Sequence, residues 1–474
     1  MSARPAVNDV LATRYASTAM VGIWSPATKV RLERELWLAV LRVQRELGVD
    51  IPAEVIEDYA AVVDTVDLDS ISARERVTRH DVKARIDEFC ALAGHEHIHK
   101  GMTSRDLTEN VEQLQLRRSL ELVRDRTVAL LDRLAARATE FAELDLTART
   151  HNVAAQVTTL GKRFASVAEE ILVAHDRLTD LLARFPVRGL KGPVGTQQDL
   201  LDLLGDAGAV HELEQRLAAH LGFQCVFESV GQVYPRSLDF DVVSALVQLS
   251  SGPANLATTV RLMAGHELVT EGFQPGQVGS SAMPHKMNSR SCERINGLAH
   301  VLQGHLAMVT ALVGDQWNEG DVSCSVVRRV ALPGACFAID GLLETALTVL
   351  AELGAYPAVI EGELRRYLPY LSTTRLLVAA VQAGLGREHA HEVIKEHAVA
   401  AALDSRERGG TAVGLVERLA GDDRWPLDAT ATAAAIDRPD HGLAVQQIEA
   451  VVARIERLVA EHPEAASYQP EPIL

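Results

Sequence analysis

The stretch from Gly279 to Asn288 reads Gly-Ser-Ser-Ala-Met-Pro-His-Lys-Met-Asn and gathers the most reactive chemistry in the chain. It holds paired hydroxyls at Ser280 and Ser281, an imidazole at His285, an ammonium at Lys286 and an amide at Asn288. Such a set suits an anionic transition state. Lys286, Asn288 and backbone N–H groups can hold carboxylate oxygens while a serine handles a proton. Gly272, Pro275 and Gly276 lie just before it, so a structured but movable connector between two helices is expected. The bland alternative is a polar surface loop.

A second group is Thr150-His151-Asn152, followed by Gln156, Thr158, Thr159 and Lys162. An imidazole titrating near neutrality is matched to proton transfer at physiological pH. The spacing is read as helical, with His151 just before a helix running from about Ala154 to Arg184 and the polar residues facing one way. A third group is His80-Asp81 together with Thr103-Ser104. A hydroxyl pair at a helix N-terminus is either an anion site or an ordinary cap. The alternation His95, His97, His99 invites a metal reading, but no carboxylate or cysteine stands at ligand spacing, so it is read as a polar loop and no metal is expected. The fourth group is cationic: Arg14-Tyr15 near the start, and Ser325 with Arg328 and Arg329. These form either a solvated face or a set converging on a phosphate.

The elements that must position these groups are helical. No Pro or Gly occurs from Arg105 to Asp145, and Leu107, Val111 and Leu114 begin a helical apolar spacing, so one long helix is expected there. Leu238, Val242, Leu246, Leu249, Pro253, Leu256, Val260 and Met263 step by fours and threes along another, with a kink expected at Pro253. Ser289–Val313 and Val322–Glu352 complete five long helices, an extended bundle whose apolar seams are expected to be covered in part by other subunits. Three domains are expected: residues 1–103, 104–354 and 355–474. The fold class is all-α.

Composition agrees with this. Hydrophobic residues make 47% of the 474 and aromatic ones 4%, which favours helix over sheet. The formal net charge of -17 argues against general nucleic-acid or membrane-surface binding, but not against an anionic substrate in a local basic cleft. Five scattered cysteines show no paired spacing, which suits reduced thiols. With no apolar leader and no stretch of membrane-spanning length, a soluble cytoplasmic protein is expected.

These segments resemble one family. Gly279–Asn288 is similar to the signature loop of the fumarase/aspartase superfamily, and His285 after Pro284 is typical of its adenylosuccinate lyase branch, though also of related cycloisomerases. Arg79–Val82, Thr103–Asn110 and Thr150–Arg163 resemble further segments of that branch, in order and spacing, most closely in its bacterial, actinobacterial-type members. The resemblance implies a homotetramer with a twenty-helix core and active sites shared between subunits. It implies no cofactor and no metal. It also implies two nucleotide substrates that lose fumarate: adenylosuccinate, giving AMP, and succinylaminoimidazole carboxamide ribotide, giving the carboxamide AICAR. Carried onto matching positions, Ser280 is the general base and His151 the general acid. Arg14, Tyr15, Arg79, His80, Asp81, Thr103, Ser104, Gln232, Ser281, Lys286, Asn288, Glu293, Ser325 and Arg329 contact substrate or, for Glu293, a site group such as His151. One departure is visible. Many relatives carry an Arg at the position of Gly320, and Arg328 is a candidate substitute. The alternative functions are another lyase of the superfamily, such as an argininosuccinate lyase or a cycloisomerase, and a non-catalytic homologue that keeps only the fold.

Overall fold

The computed structural model describes residues 9–273, 276, 282–408 and 414–472. Five long helices dominate it: α1 (Ser104–Glu140), α2 (Leu160–Arg184), α3 (Ser237–Gly265), α4 (Arg290–Thr310) and α5 (Cys324–Glu352). All eight seam residues from Leu238 to Met263 are buried, and α3 runs through Pro253 as one helix. The first turn of α1 is fixed by Asp106, whose Oδ2 accepts the Thr103 N–H at 2.8 Å. With no helix breaker in its interior, α1 continues for 37 residues, about 55 Å at 1.5 Å per residue.

Ion pairs and hydrogen bonds fix how these helices run. Arg105 reaches Ser325 near the start of α5, and Arg137 reaches the Leu350 carbonyl near its end, so α1 and α5 are parallel. Arg177 meets Gln248 whereas Arg184 meets Asp241, so α2 and α3 are antiparallel. Arg236 on Glu109 and Arg328 on Asp239 bring the starts of α1, α3 and α5 to one end. The far end carries the close of α1 and the start of α2.

The segment expected to open a second long helix at Ala154 instead forms a hairpin. Strands β1 (Asp145–Thr150) and β2 (Val153–Thr159) pair antiparallel, with a register shift at Ala148/Arg149, and α2 begins only at Leu160, capped by Thr159. The helical reading of Gln156, Thr158 and Thr159 is therefore corrected. Threonine and valine suit a pleated strand, and Asn152 supplies the left-handed backbone that a two-residue turn needs.

Before the bundle, the helix Pro26–Glu46 packs its buried face, including Leu36, Trp37 and Leu41, on α1. After it, residues Leu376 to Ile436 build a separate small apolar cluster. The helix Ala444–Glu461 then returns to lie on α1 and α2, with Ile448 and Ile455 in the main core. Among the described residues only α5 is long and apolar enough to cross a membrane, and 89% of its apolar window is buried inside the fold.

Candidate functional site: a cleft at one end of the bundle, a hairpin and loop at the other

Where α1, α3 and α5 begin, a cleft of about 480 Å³ opens. Seven of the residues expected to bind substrate line it: His80, Asp81, Thr103, Ser104, Gln232, Ser325 and Arg329. All but Gln232, which comes from the loop before α3, arrive from the first two turns of a helix or the residue before it. His80 caps the helix Asp81–Ala93, its Nδ1 accepting the Lys83 N–H at 3.2 Å. In the neutral ring the proton then sits on Nε2, 3.5 Å from the Ser104 hydroxyl. Burial works against ionisation of Asp81, but Arg85, the Val82 N–H, Arg329 and His80 together hold its carboxyl below the usual carboxylate range. Arg329 donates to Asp81 at 3.1 Å and stays largely exposed.

Beneath the cleft lies a buried ion network. Lys29, Arg105, Arg236 and Arg328 converge on Glu109, Glu112 and Asp239, four cations on three carboxylates. Arg328 is 2% exposed. It donates to Asp239 at 2.8 Å, to Glu112 at 2.6 Å and to the Tyr234 hydroxyl. Despite its burial, these acids hold its pKa above the ordinary value, and burial of Glu112 is outweighed by Lys29 and Arg328, which hold it far below. Arg328 lines the floor of the cleft, with its guanidinium engaged by Asp239, Glu112 and the Tyr234 hydroxyl. Gly320 has its own reason. A Cβ there would stand 2.6 Å from the Gln232 Cβ, and the Gln232 N–H donates to the Glu319 carbonyl at 2.6 Å. This tight apposition leaves no room for a side chain at position 320.

The other expected residues lie elsewhere. His151 and Asn152 form the turn of the β1–β2 hairpin, both exposed, with φ of 51° and 62°. A left-handed backbone costs an L-residue roughly 1–2 kcal/mol, a cost set here by the two-residue turn. Of the polar residues that follow, Thr158 and Lys162 line a groove between α2 and α3, whereas Gln156 is exposed on β2. Lys286, Asn288 and Glu293 line a separate depression beside α3, and Lys286 is exposed. Glu293 has Arg261 at 4.0 Å as its neighbour. Ser280 and Ser281 lie outside the described residues. Arg14 and Tyr15 cross α5 where Gly341 lets the chain in, a Cβ there falling 2.7 Å from the Tyr15 carbonyl. Arg294 lies 5.4 Å over the Tyr15 ring. Arg79 is exposed at the close of a helix, in a left-handed conformation at φ 53°. In one chain, therefore, the cleft occupies one end of the bundle while the His151 hairpin follows the opposite end of α1.

Two contributors were missed in the sequence. Arg105 lines the cleft beside Ser325, and only its place directly after Ser104 hinted at this. Glu271 is buried and accepts the Ser291 and Cys292 N–H groups at 2.9 Å each, which anchors the start of α4 behind Lys286 and Asn288. The three loop histidines have local roles: His95 pairs with Asp58, His97 meets Lys100, and His99 accepts from the Trp37 indole. Burial pushes His99 down to about 4, so it is neutral at physiological pH.

The fold and these segments define a lyase. The family model described as Lyase matches residues 19–304. In fold the chain is similar to the 3-carboxy-cis,cis-muconate lactonizing enzyme of Pseudomonas putida, with a TM-score of 0.83 at 20% identity over 95% of this chain and all of that one. In sequence it is 34% identical over 449 residues to the adenylosuccinate lyase of Schistosoma mansoni, covering 93% of this chain and 92% of the relative. It is also 34% identical over 421 residues to that of Saccharomyces cerevisiae, covering 87% of each. The chain belongs to the adenylosuccinate lyase family.

Proposed function

We propose that this lyase releases fumarate from adenylosuccinate, giving AMP, and from succinylaminoimidazole carboxamide ribotide, giving AICAR. The observation that carries the reading is the cleft, which gathers hydroxyls, an imidazole and the arginines Arg105, Arg328 and Arg329 at three helix starts, a lining suited to a nucleotide anion. The succinyl Cβ–H is a weak acid. Its proton leaves only as the adjacent carboxylate becomes an aci-type dianion, which Lys286, Asn288 and loop amides stabilise. Ser280 takes that proton, and it is a competent base only where N–H groups and a cation hold its alkoxide. The C–N bond then breaks, its electron pair staying with nitrogen, and His151 protonates the leaving amine. No metal or cofactor takes part.

The working unit of this proposal is a homotetramer whose sites draw on three chains. Two observations support it. The cleft and the hairpin lie at opposite ends of a helix about 55 Å long, beyond reach of one small ligand. Val301, Met308, Val313, Trp317, Val326 and Val330 leave apolar side chains exposed along and between α4 and α5, a surface that antiparallel packing of identical chains would cover. Incubation of the purified protein with adenylosuccinate tests the reaction. Its ultraviolet absorbance should change as AMP and fumarate accumulate. A protein that leaves adenylosuccinate untouched but cleaves argininosuccinate would overturn the substrate assignment.

A further inference from the structure

Within the ion network under the cleft, the positive charges outnumber the negative by one, and the surplus can be located. Glu109 has both oxygens engaged: Oε1 accepts from Arg236, and Oε2 accepts the Tyr234 N–H at 3.0 Å. Arg105 has Glu109 only at 3.5 Å and makes its close contact, 2.7 Å, with the neutral hydroxyl of Ser325. Its side chain is 13% exposed, so solvent does little to offset its charge, and it lines the cleft wall. Arg328 is saturated by carboxylates, and Arg329 is held by Asp81. A largely desolvated guanidinium that shares its one carboxylate, Glu109, with Arg236 and Arg328 attracts a further anion strongly.

We propose that Arg105 is a specificity-determining residue: it binds the phosphate of the nucleotide, jointly with Ser325 and Arg329. Because Ser325 Oγ accepts from Arg105, its own O–H is free to donate into the cleft. The first turns of α1 and α5 flank this pair, and their N–H groups favour the same charge. A dianionic phosphate presents three oxygens to this fork, hydroxyl and second cation, while the succinyl carboxylates belong with Lys286 and Asn288 under the functional reading given above, on which this inference rests.

The test compares Arg105→Gln and Arg105→Lys with the parent protein by calorimetric titration with AMP and with adenosine, which lacks the phosphate. Arg105→Gln should bind AMP about ten- to a hundredfold more weakly, the range of one lost charge-assisted contact, with adenosine binding unchanged. Arg105→Lys keeps the charge but not the fork and should lose less. The KM for adenylosuccinate should rise in the same order. Equal loss for AMP and adenosine would mean a structural role, and no loss for either would mean no role; each overturns the inference. If Arg105→Gln does not fold, Arg105→Lys decides alone: a loss confined to AMP supports the assignment, and its absence refutes it. Failure of the parent protein to cleave adenylosuccinate, alongside phosphate-selective loss in the variants, would sink the functional reading and leave the phosphate site standing.

Discussion

If the cleft and the hairpin of one site come from different chains, two dead enzymes should repair each other. The perturbations are His80→Ala, which strips the Nε2 donor from the cleft, and His151→Ala, which removes the imidazole from the hairpin turn. In one chain the two positions are separated by the length of α1, whose 37 residues span about 55 Å. No single-chain site can use both. Unfolding and refolding the variants together in equal amounts gives hybrid tetramers by random assembly. A repaired site needs an intact cleft from one chain and an intact hairpin from another, each available half the time. About a quarter of sites should therefore be native, and the mixture should approach a quarter of parent activity on adenylosuccinate, while each variant refolded alone stays near zero. The assay is initial rate by absorbance, on tetramers whose mixed content is verified by differently tagged chains. Verified hybrids no more active than the two variants measured separately would refute the shared-site reasoning for this pair.

Two further outcomes are expected. Ser280→Ala should lose orders of magnitude in kcat while still binding substrate, because its hydroxyl acts mainly in the transition state; a near-native kcat in single-turnover measurement would remove Ser280 as the base. Asp340 is fully buried, accepts the Ser17 N–H at 2.6 Å through one oxygen, and burial pushes its carboxyl up to about 6. A folded pKa above the unfolded one means that protonation favours the fold, so the stability associated with it is present below about pH 4 and is lost as pH rises towards 6. Asp340→Asn, neutral at every pH, should thus be more stable than the parent at pH 8, by up to about 3 kcal/mol, and no more stable at pH 4. A gap that does not depend on pH would show that the charge is not the cause.

The long helices were legible because their information is local. A seam such as Leu238 to Met263 repeats with the helical period whatever it packs against. The hairpin was not, because Val153 to Thr159 contains no breaker and runs into a true helix; only pairing with Asp145–Thr150 across a turn tells strand from helix there. His80, Thr103 and Ser104 were readable for the same local reason, each standing at a helix start, whereas Gln232 was reached only through the family resemblance. The roles of the arginines were not. Arg328 and Arg329 are neighbours in sequence, yet they point about 100° apart on a helix, so one is buried and one exposed. Which is which depends on Glu109, Glu112 and Asp239, acids from two other helices. Arg105 stands apart because those acids are engaged more closely by Lys29, Arg236 and Arg328.

Finally, α5 is clasped by segments far apart in the chain. Glu344 accepts the Glu471 N–H and the Tyr468 hydroxyl, and the Glu471 carboxylate in turn accepts the Thr18 N–H, a contact across 453 positions. On a ribosome adding roughly 5–20 residues each second, the 127 residues between Glu344 and Glu471 take about 6–25 s to make. Throughout that interval α5 has emerged without its clasp, and the faces of α1 and α2 that Ile448 and Ile455 will cover stand open. Nascent chains of this protein should therefore depend on chaperone protection until the helix Ala444–Glu461 and the clasp at Glu471 have emerged.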